Sequence, residues 1–208
     1  MTPFSQPILL AISQMRDFEK FLKSPLDTCI LMDFHINLLP AMMQAAHTAG
    51  KTVYLHADLL RGVSADEYGC EYLCQRLHAD GIISTKPKVL EAARRNHVTT
   101  ILRLFLIDTK SLDKGAALIR SLQPDYVELL PGLACDAIAD LKHRLPPLSD
   151  ASPLEKSSTG KLSTENKTLS FLCGGLIKTP SQITRCLEAG ACAVTLSDRA
   201  LAESYLAL

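Results

Sequence analysis

Apolar and polar positions follow two alternating patterns along this chain. Short apolar runs, such as residues 7–12 and 100–107, are typical of buried strands, and most are followed by a segment with helical spacing of apolar positions. Repeated strand-helix units require parallel strands with right-handed crossovers, and eight units favour a closed barrel. We therefore predict an α/β fold, a compact (β/α)8 TIM-like barrel forming one domain over residues 1–208. An open doubly wound sheet is the alternative, since one miscounted strand would convert one fold into the other. The predicted strands start near residues 7, 29, 51, 81, 99, 126, 169 and 193.

One interval in this pattern is unusually long. The starts of the sixth and seventh strands lie 43 residues apart, and the excess falls at residues 149–168, which hold five Ser, three Thr and only three apolar side chains. Such a segment buries too little apolar surface to order itself. We expect a flexible surface insertion on the barrel face opposite the carboxyl ends of the strands, and a lid is the alternative.

The last two strand-helix units carry the features of a phosphate-binding grip. Gly174 and Gly175 follow the seventh strand, and Ser197 follows the eighth. Between them, Thr179 suits the N-cap of a helix that opens with Pro180. In parallel barrels the loops after strands seven and eight often bind phosphate through backbone N–H groups and a helix N-terminus. We therefore predict a grip formed by Gly174, Gly175 and Ser197, although the glycines are also compatible with a tight turn alone.

Five further polar residues are expected at the carboxyl ends of the strands. Arg103 and Glu128 interrupt apolar runs on consecutive strands, so we expect them to compensate each other's charge, either as a structural ion pair or as ligand-binding groups. His56 fits either a core histidine or an acid-base group. A metal site near His56 is a further option, but the spacing is generic and we predict none. The candidate effector-binding or switching residues are Asp33, His56, Asp58, Arg103 and Glu128.

Composition narrows the classes of partner and compartment. The 208 residues hold 22 Lys and Arg and 22 Asp and Glu, so no overall positive field indicates a nucleic-acid partner. The seven cysteines form no paired CxxC motif, which favours buried thiols in a reducing cytoplasm. No secretory pattern and no apolar run near 18 residues is present. We expect a cytoplasmic protein that does not span a membrane.

No complete catalytic motif is present. The chain lacks a P-loop, HExxH, GxSxG and a GxGxxG that opens a helix. A polar barrel mouth with a phosphate grip and no evident nucleophile fits ligand sensing at least as well as catalysis.

Several segments resemble the bacterial glycerol-3-phosphate responsive antiterminator family. The resemblance is carried by HADLLRG at 56–62 with DEYG at 66–69, GIIST at 81–85, RLFLID at 103–108, PDYVELLPG at 124–132 and GGLI at 174–177. It implies a barrel, glycerol 3-phosphate as effector, no cofactor, and binding to the leader mRNA of glycerol-catabolic genes to prevent termination. It also implies that Gly174, Gly175 and Ser197 hold the effector phosphate. The chain departs from the family pattern by lacking Trp and by the insertion at 149–168.

RNA binding has the weakest support from the residues themselves. The best basic patch lies on the predicted fourth helix and comprises Lys86, Lys88, Arg94 and Arg95, which is also compatible with an ordinary solvated helix face. A homodimer could assemble a wider basic surface. Two other functions stay open: a small phosphate-ester barrel enzyme, an isomerase or lyase using His56, Asp58 or Glu128 as acid and base, and a divergent family member without an RNA role.

Overall fold

The computed structural model describes residues 4–145 and 169–207 as one closed parallel barrel. Each strand pairs with its sequence neighbours, and β1 closes on β8 with Leu9 opposite Thr195. The predicted TIM-like (β/α)8 fold is confirmed, and the open sheet is excluded. The strands are β1 Ile8–Ile12, β2 Thr28–Leu31, β3 Thr52–His56, β4 Gly81–Ser84, β5 Thr99–Phe105, β6 Tyr126–Leu130, β7 Ser170–Gly174 and β8 Ala191–Leu196.

Eight α-helices surround the described strands. The predicted start of α7 is confirmed in detail, because Thr179 and Gln182 form a reciprocal capping box with Pro180 at the first helical position. The expected insertion at 149–168 lies outside the described residues. The helices are α1 Met15–Leu22, α2 Leu39–Thr48, α3 Glu67–Gln75, α4 Pro87–Arg95, α5 Thr109–Leu122, α6 Ala137–Arg144, α7 Pro180–Glu188 and α8 Arg199–Leu206.

The hydrophobic core has two layers, as expected for a barrel surrounded by helices. The outer layer lies between strands and helices. The inner layer fills the barrel with side chains that include Leu9, Ile30, Ile83 and Leu172. Side chains alternate across a strand, so the residue two positions after an inner-layer residue also points into the barrel, nearer its carboxyl-terminal end.

Two strands are shorter than predicted at their carboxyl ends. The apolar run at residues 29–34 predicts a second strand of that length, but β2 ends at Leu31, and Asp33 adopts a left-handed backbone with φ of 62°. The strand predicted at 100–107 ends at Phe105. All seven cysteines are free, and six are buried, whereas Cys192 is only half-buried. Within the described residues, no helix is long and apolar enough to cross a membrane.

Candidate functional site

A buried ion pair lies inside the barrel near the carboxyl ends of β5 and β6. Arg103 and Glu128 are paired in the strand register, and Arg103 Nε donates to Glu128 Oε2 at 2.7 Å. The Glu128 side chain is fully buried and that of Arg103 is 12% exposed. The predicted charge compensation is therefore present. Among the described residues, the guanidinium uses only Nε in hydrogen bonds, which leaves both Nη groups for a ligand.

Thr195 and Gly174 complete the surroundings of the Glu128 carboxylate. Thr195 Oγ1 donates to Glu128 Oε1 at 2.6 Å, so both carboxylate oxygens are hydrogen-bonded. A Cβ on Gly174 would lie 2.1 Å from Thr195 Oγ1 and 2.8 Å from Glu128 Oε1. Gly174 is thus needed to make room for the ion pair, a role the sequence did not indicate. Thr195 was also missed, because one threonine in an apolar strand carries no distinctive signal.

His56 lies in the same inner layer and lacks hydrogen-bond partners. Its side chain is 1% exposed, and neither Nδ1 nor Nε2 has a partner in the described structure. Burial, followed by the positive charge of Arg103, lowers the pKa of His56 to about 4. The ring is therefore neutral at pH 7 and carries one donor and one acceptor. Since buried polar groups are normally hydrogen-bonded, His56 marks a place for a polar ligand group.

The two predicted aspartates lie at the rim rather than in the inner layer. Asp58 accepts hydrogen bonds from Thr85 N at 2.7 Å and Thr85 Oγ1 at 2.8 Å, and also from Ser84 Oγ. Its carboxylate therefore joins the end of β3 to the end of β4 and positions the neighbouring loop. Asp33 is exposed on the loop after β2, where its N–H bonds to Leu59 O at 3.2 Å.

The loop after β7 has an unusual backbone at the barrel mouth. Gly175 and Leu176 both have positive φ, 74° and 59°, and Leu176 is 66% exposed. A non-glycine residue in this region is strained, and such strain concentrates at functional sites. No hydrogen bond in the described part of the chain uses the N–H of Gly175 or Leu176. These two N–H groups can receive an anion, and the start of α7, which Thr179 and Gln182 already cap, adds the positive end of its dipole nearby.

The loop after β6 supports the loop after β7. Gly132 N donates to Gly175 O at 3.0 Å, and a Cβ on Gly132 would lie 2.6 Å from Ile177 Cδ1. The PDYVELLPG and GGLI segments are therefore in direct contact.

The loop after β8 contributes less to an anion site than the sequence suggested. Ser197 is exposed, but the next residue, Asp198, accepts from Leu201 N at 3.0 Å and caps α8. This N-terminus already has its own carboxylate, which would repel a phosphate. Of the predicted grip, the loop after β7 offers free N–H groups, whereas the start of α8 is occupied by the Asp198 side chain.

Comparisons with known proteins place these features in a family. The family model described as glycerol-3-phosphate responsive antiterminator matches residues 8–149. The chain belongs to this family. A glycerol uptake operon antiterminator regulatory protein from Listeria monocytogenes is 34% identical, with a TM-score of 0.82 and 97% of both chains covered.

Two further proteins are similar to this chain, one by its structure and one by its sequence. A glycerol uptake operon antiterminator-related protein from Thermotoga maritima is 24% identical, with a TM-score of 0.74 over 95% of this chain and 98% of that chain, and shows the fold alone. An uncharacterized protein of Escherichia coli, YgcP, is 31% identical over 61% of this chain. That match spans just under two thirds, 66%, of the Escherichia coli protein.

Three of the four basic residues predicted for RNA binding make contacts within the protein. Arg94 Nη2 donates to the carbonyls of Leu122 and Gln123 at the end of α5. The other three cations are exposed and differ in their contacts. Lys86 Nζ donates to a backbone carbonyl at 3.0 Å, Arg95 pairs with an acid of α3 at 3.5 Å, and Lys88 alone of the four has no partner among the described residues.

A metal centre finds no support in the described structure. Within residues 4–145 and 169–207, no group of three or more His, Cys, Asp or Glu side chains could hold a metal ion.

Proposed function

We propose that this chain binds glycerol 3-phosphate at the carboxyl-terminal mouth of the barrel and uses it to control binding to leader mRNA, without catalysing a reaction. The observation that carries the proposal is the buried polar layer in which His56 has no hydrogen-bond partner while Arg103 keeps both Nη groups free. Polar groups of this kind fit the hydroxyls of a small polyol. Family membership supports the choice of glycerol 3-phosphate over other phosphate esters.

In this proposal the two ends of the effector bind different parts of the mouth. The hydroxyls bind His56 and Arg103, while the phosphate binds the N–H groups of Gly175 and Leu176 beside the start of α7. Glu128 does not contact the effector, because both of its carboxylate oxygens already accept hydrogen bonds within the protein. It holds the Arg103 guanidinium in place. The effector needs no cofactor, and the protein works in the cytoplasm, where leader transcripts are made.

Thermal unfolding with glycerol 3-phosphate tests the effector site. A ligand at 100 times its dissociation constant adds about 2.7 kcal/mol to stability, which for a chain of this size raises Tm by roughly 5 to 10 °C. Glycerol and inorganic phosphate at the same concentrations should give a much smaller rise. Equal shifts with inorganic phosphate alone would contradict a site for the whole molecule.

The His56→Leu variant sharpens this experiment. Leucine removes two unpartnered buried nitrogens, so the free protein should be at least as stable as the wild type. The rise in Tm with glycerol 3-phosphate should nevertheless largely disappear. Lys88→Ala is the control and should keep the full rise. A His56→Leu protein that still responds fully would remove His56 from the effector site.

The RNA half of the proposal requires a separate assay. With purified RNA polymerase and a template carrying the leader of a glycerol-catabolic operon from the same genome, the protein should increase read-through of the terminator when glycerol 3-phosphate is added. Read-through that is unchanged by the protein, with or without effector, would contradict antitermination. Whether a homodimer is the active form can be followed by light scattering in the same buffers.

A small phosphate-ester isomerase is the second candidate, because a neutral histidine and a carboxylate share the inner layer. Schiff-base lyase chemistry is disfavoured, since none of the eight strands contains a lysine. Following glycerol phosphates and triose phosphates by NMR with the purified protein separates the candidates. Any turnover abolished by His56→Leu would favour the enzyme.

A further inference from the structure

One segment that carries the family resemblance contains an exposed tyrosine. In the DEYG segment, Asp66 caps α3 by accepting from Gly69 N at 2.8 Å. A Cβ on Gly69 would lie 1.9 Å from the carbonyl oxygen of Ser64, so only glycine fits. Tyr68 is 75% exposed and makes no hydrogen bond or ring contact within the described residues. Its neighbours serve the fold, whereas nothing in the fold requires Tyr68.

Tyr68 begins a stripe of exposed residues along α3. Tyr72 lies one helical turn further and is 41% exposed, and Arg76, which is exposed, follows at the same spacing. The stripe spans about 12 Å at the helical rise of 1.5 Å per residue. It therefore presents two aromatic rings followed by a permanent positive charge.

Acidic residues of α3 border the stripe on the side that faces α4. Glu67 pairs with Arg95 of α4 at 3.5 Å, which shows that this flank faces α4. Helical geometry places Glu71 on the same flank, one turn below Glu67. Arg76 instead lines a pocket together with residues of α2, so this end of the stripe lies away from Glu67. Glu71 is a surface neighbour of Tyr68, three residues further along the helix.

The stripe ends at a pocket of about 310 Å³ between α2 and the end of α3. Buried Met43 and Leu77 form an apolar part of its lining. Polar side chains, those of Gln44, His47 and His78, line it beside Arg76. An apolar surface edged by hydrogen-bonding groups suits a planar base.

We propose that the Tyr68, Tyr72 and Arg76 stripe, with the adjoining pocket, binds single-stranded leader RNA by stacking bases on the two rings. This inference rests on the proposed function and specifies its RNA-binding surface. Exposed aromatics interleaved with cations are the common device for binding single strands, because every base has a face that can stack. The stripe starts at the barrel mouth, since α3 begins on the loop that follows His56. Effector and RNA therefore occupy neighbouring but separate surfaces.

Photo-crosslinking locates the surface directly. A transcript of the operon leader containing 4-thiouridine is bound to the full-length wild-type chain, irradiated and digested, and the crosslinked peptides are identified by mass spectrometry. We expect crosslinks on the peptide that holds Tyr68 and Tyr72. Crosslinks confined to the loops of the barrel mouth would overturn the proposal.

Equilibrium binding of the same leader transcript tests the stacking. Tyr68→Ala and Tyr72→Ala should each weaken binding about 5- to 100-fold, while Tyr68→Phe and Tyr72→Phe should stay within about two-fold of the wild type, because stacking needs only the ring. Arg76→Gln should lower the salt dependence by about one phosphate contact. Phe105→Ala, which removes a ring 55% exposed at the mouth, is the matched control and should bind normally.

The outcomes separate this inference from the function on which it rests. Each tyrosine variant should keep the rise in Tm with glycerol 3-phosphate, which shows that fold and effector site are intact. If the wild type binds the leader and both alanine variants bind equally well, the stripe is wrong while antitermination stands. Loss of binding in Phe105→Ala alone would place the RNA at the mouth. A wild-type chain that binds no leader RNA, with or without effector, would overturn both.

Discussion

The two ends of the barrel interior are built from different chemistry. At the amino-terminal end, Phe4 is 5% exposed and packs against Tyr126 and Tyr54, with ring centroids 5.0 and 6.2 Å away. At the carboxyl-terminal end, the inward layer holds Arg103, Glu128 and His56. One end is closed by apolar rings, and the other contains buried charge and unpaired nitrogen atoms.

Aspartates also act differently at the two ends. At the amino-terminal end, Asp80 accepts from Val53 N at 2.7 Å and Asp125 accepts from Thr100 N at 2.8 Å, so each joins neighbouring strands. Asp58 does the same at the carboxyl-terminal end. There, however, His56 remains without a partner in the described residues. Among the described residues, His56 carries the buried side-chain nitrogen atoms that lack a partner, which is why our proposal places the effector beside it.

Removing one member of the buried ion pair should have the largest effect on stability. Glu128→Ala leaves Arg103 buried without a counter-charge, and we expect the free energy of unfolding to fall by about 3 to 5 kcal/mol, measured by urea denaturation. Glu203→Ala removes a carboxylate that pairs with Arg199 but is 60% exposed, and should lower it by less than about 1 kcal/mol. The double change of Arg103 and Glu128 to Leu should recover most of the loss. Equal losses for the two Glu→Ala variants would contradict the contrast.

The aromatic rings that close the amino-terminal end of the barrel should have a purely structural role. Phe4→Ala removes a buried ring at the closed end and should cost about 3 kcal/mol in urea denaturation, yet the rise in Tm with glycerol 3-phosphate should be unchanged. Phe105→Ala, at an exposed ring, should alter stability little. A Phe4 variant that folds but loses the effector response would show that the two ends are not independent.

The collision at Gly174 gives a smaller and more specific effect. Gly174→Ala places a methyl group against Thr195 Oγ1 and should cost about 2 kcal/mol. Adding Thr195→Ala removes the nearest contact and should restore part of that stability. This non-additivity can be measured as a double-mutant cycle in urea. Strictly additive effects would show that the methyl group is accommodated elsewhere.

The smallest effect should appear as a dependence of stability on pH. The pKa of His56 is about 4 in the folded chain, against its ordinary value of 6.5. Between these values the unfolded chain binds more protons, so stability falls as pH falls. We expect a loss of about 1 kcal/mol from this residue between pH 7 and pH 5.5. His56→Leu should lack that part of the pH dependence, and an unchanged profile would contradict a buried, neutral His56.

Much of the fold follows from local sequence signals. Thr179 was predicted as a helix cap and does cap α7, because capping depends on residues close in the chain. Strand ends were less predictable. The second predicted strand continued to residue 34, yet the left-handed backbone of Asp33 stops regular pairing. That conformation depends on packing between neighbouring loops.

The positions of the candidate residues in the barrel followed from the strand pattern, but their contacts did not. Regular alternation along β5 and β6 placed Arg103 and Glu128 side by side. The use of Asp58 to join two strand ends, and of Asp198 to cap α8, depends on partners that composition and spacing do not reveal. The proposed role of Tyr68 depends on the exposure of its ring, which cannot be read from a single sequence.

The contact between Gly132 and Gly175 has a consequence for variation among homologues. The two segments in contact are distant along the chain, yet a side chain at Gly132 would displace Ile177 in the loop after β7. Mutations in one segment should therefore be accepted only with matching changes in the other. The two segments should therefore covary among homologues. Exchanging one of them between family members should give a destabilised protein, whereas exchanging both should give a stable one.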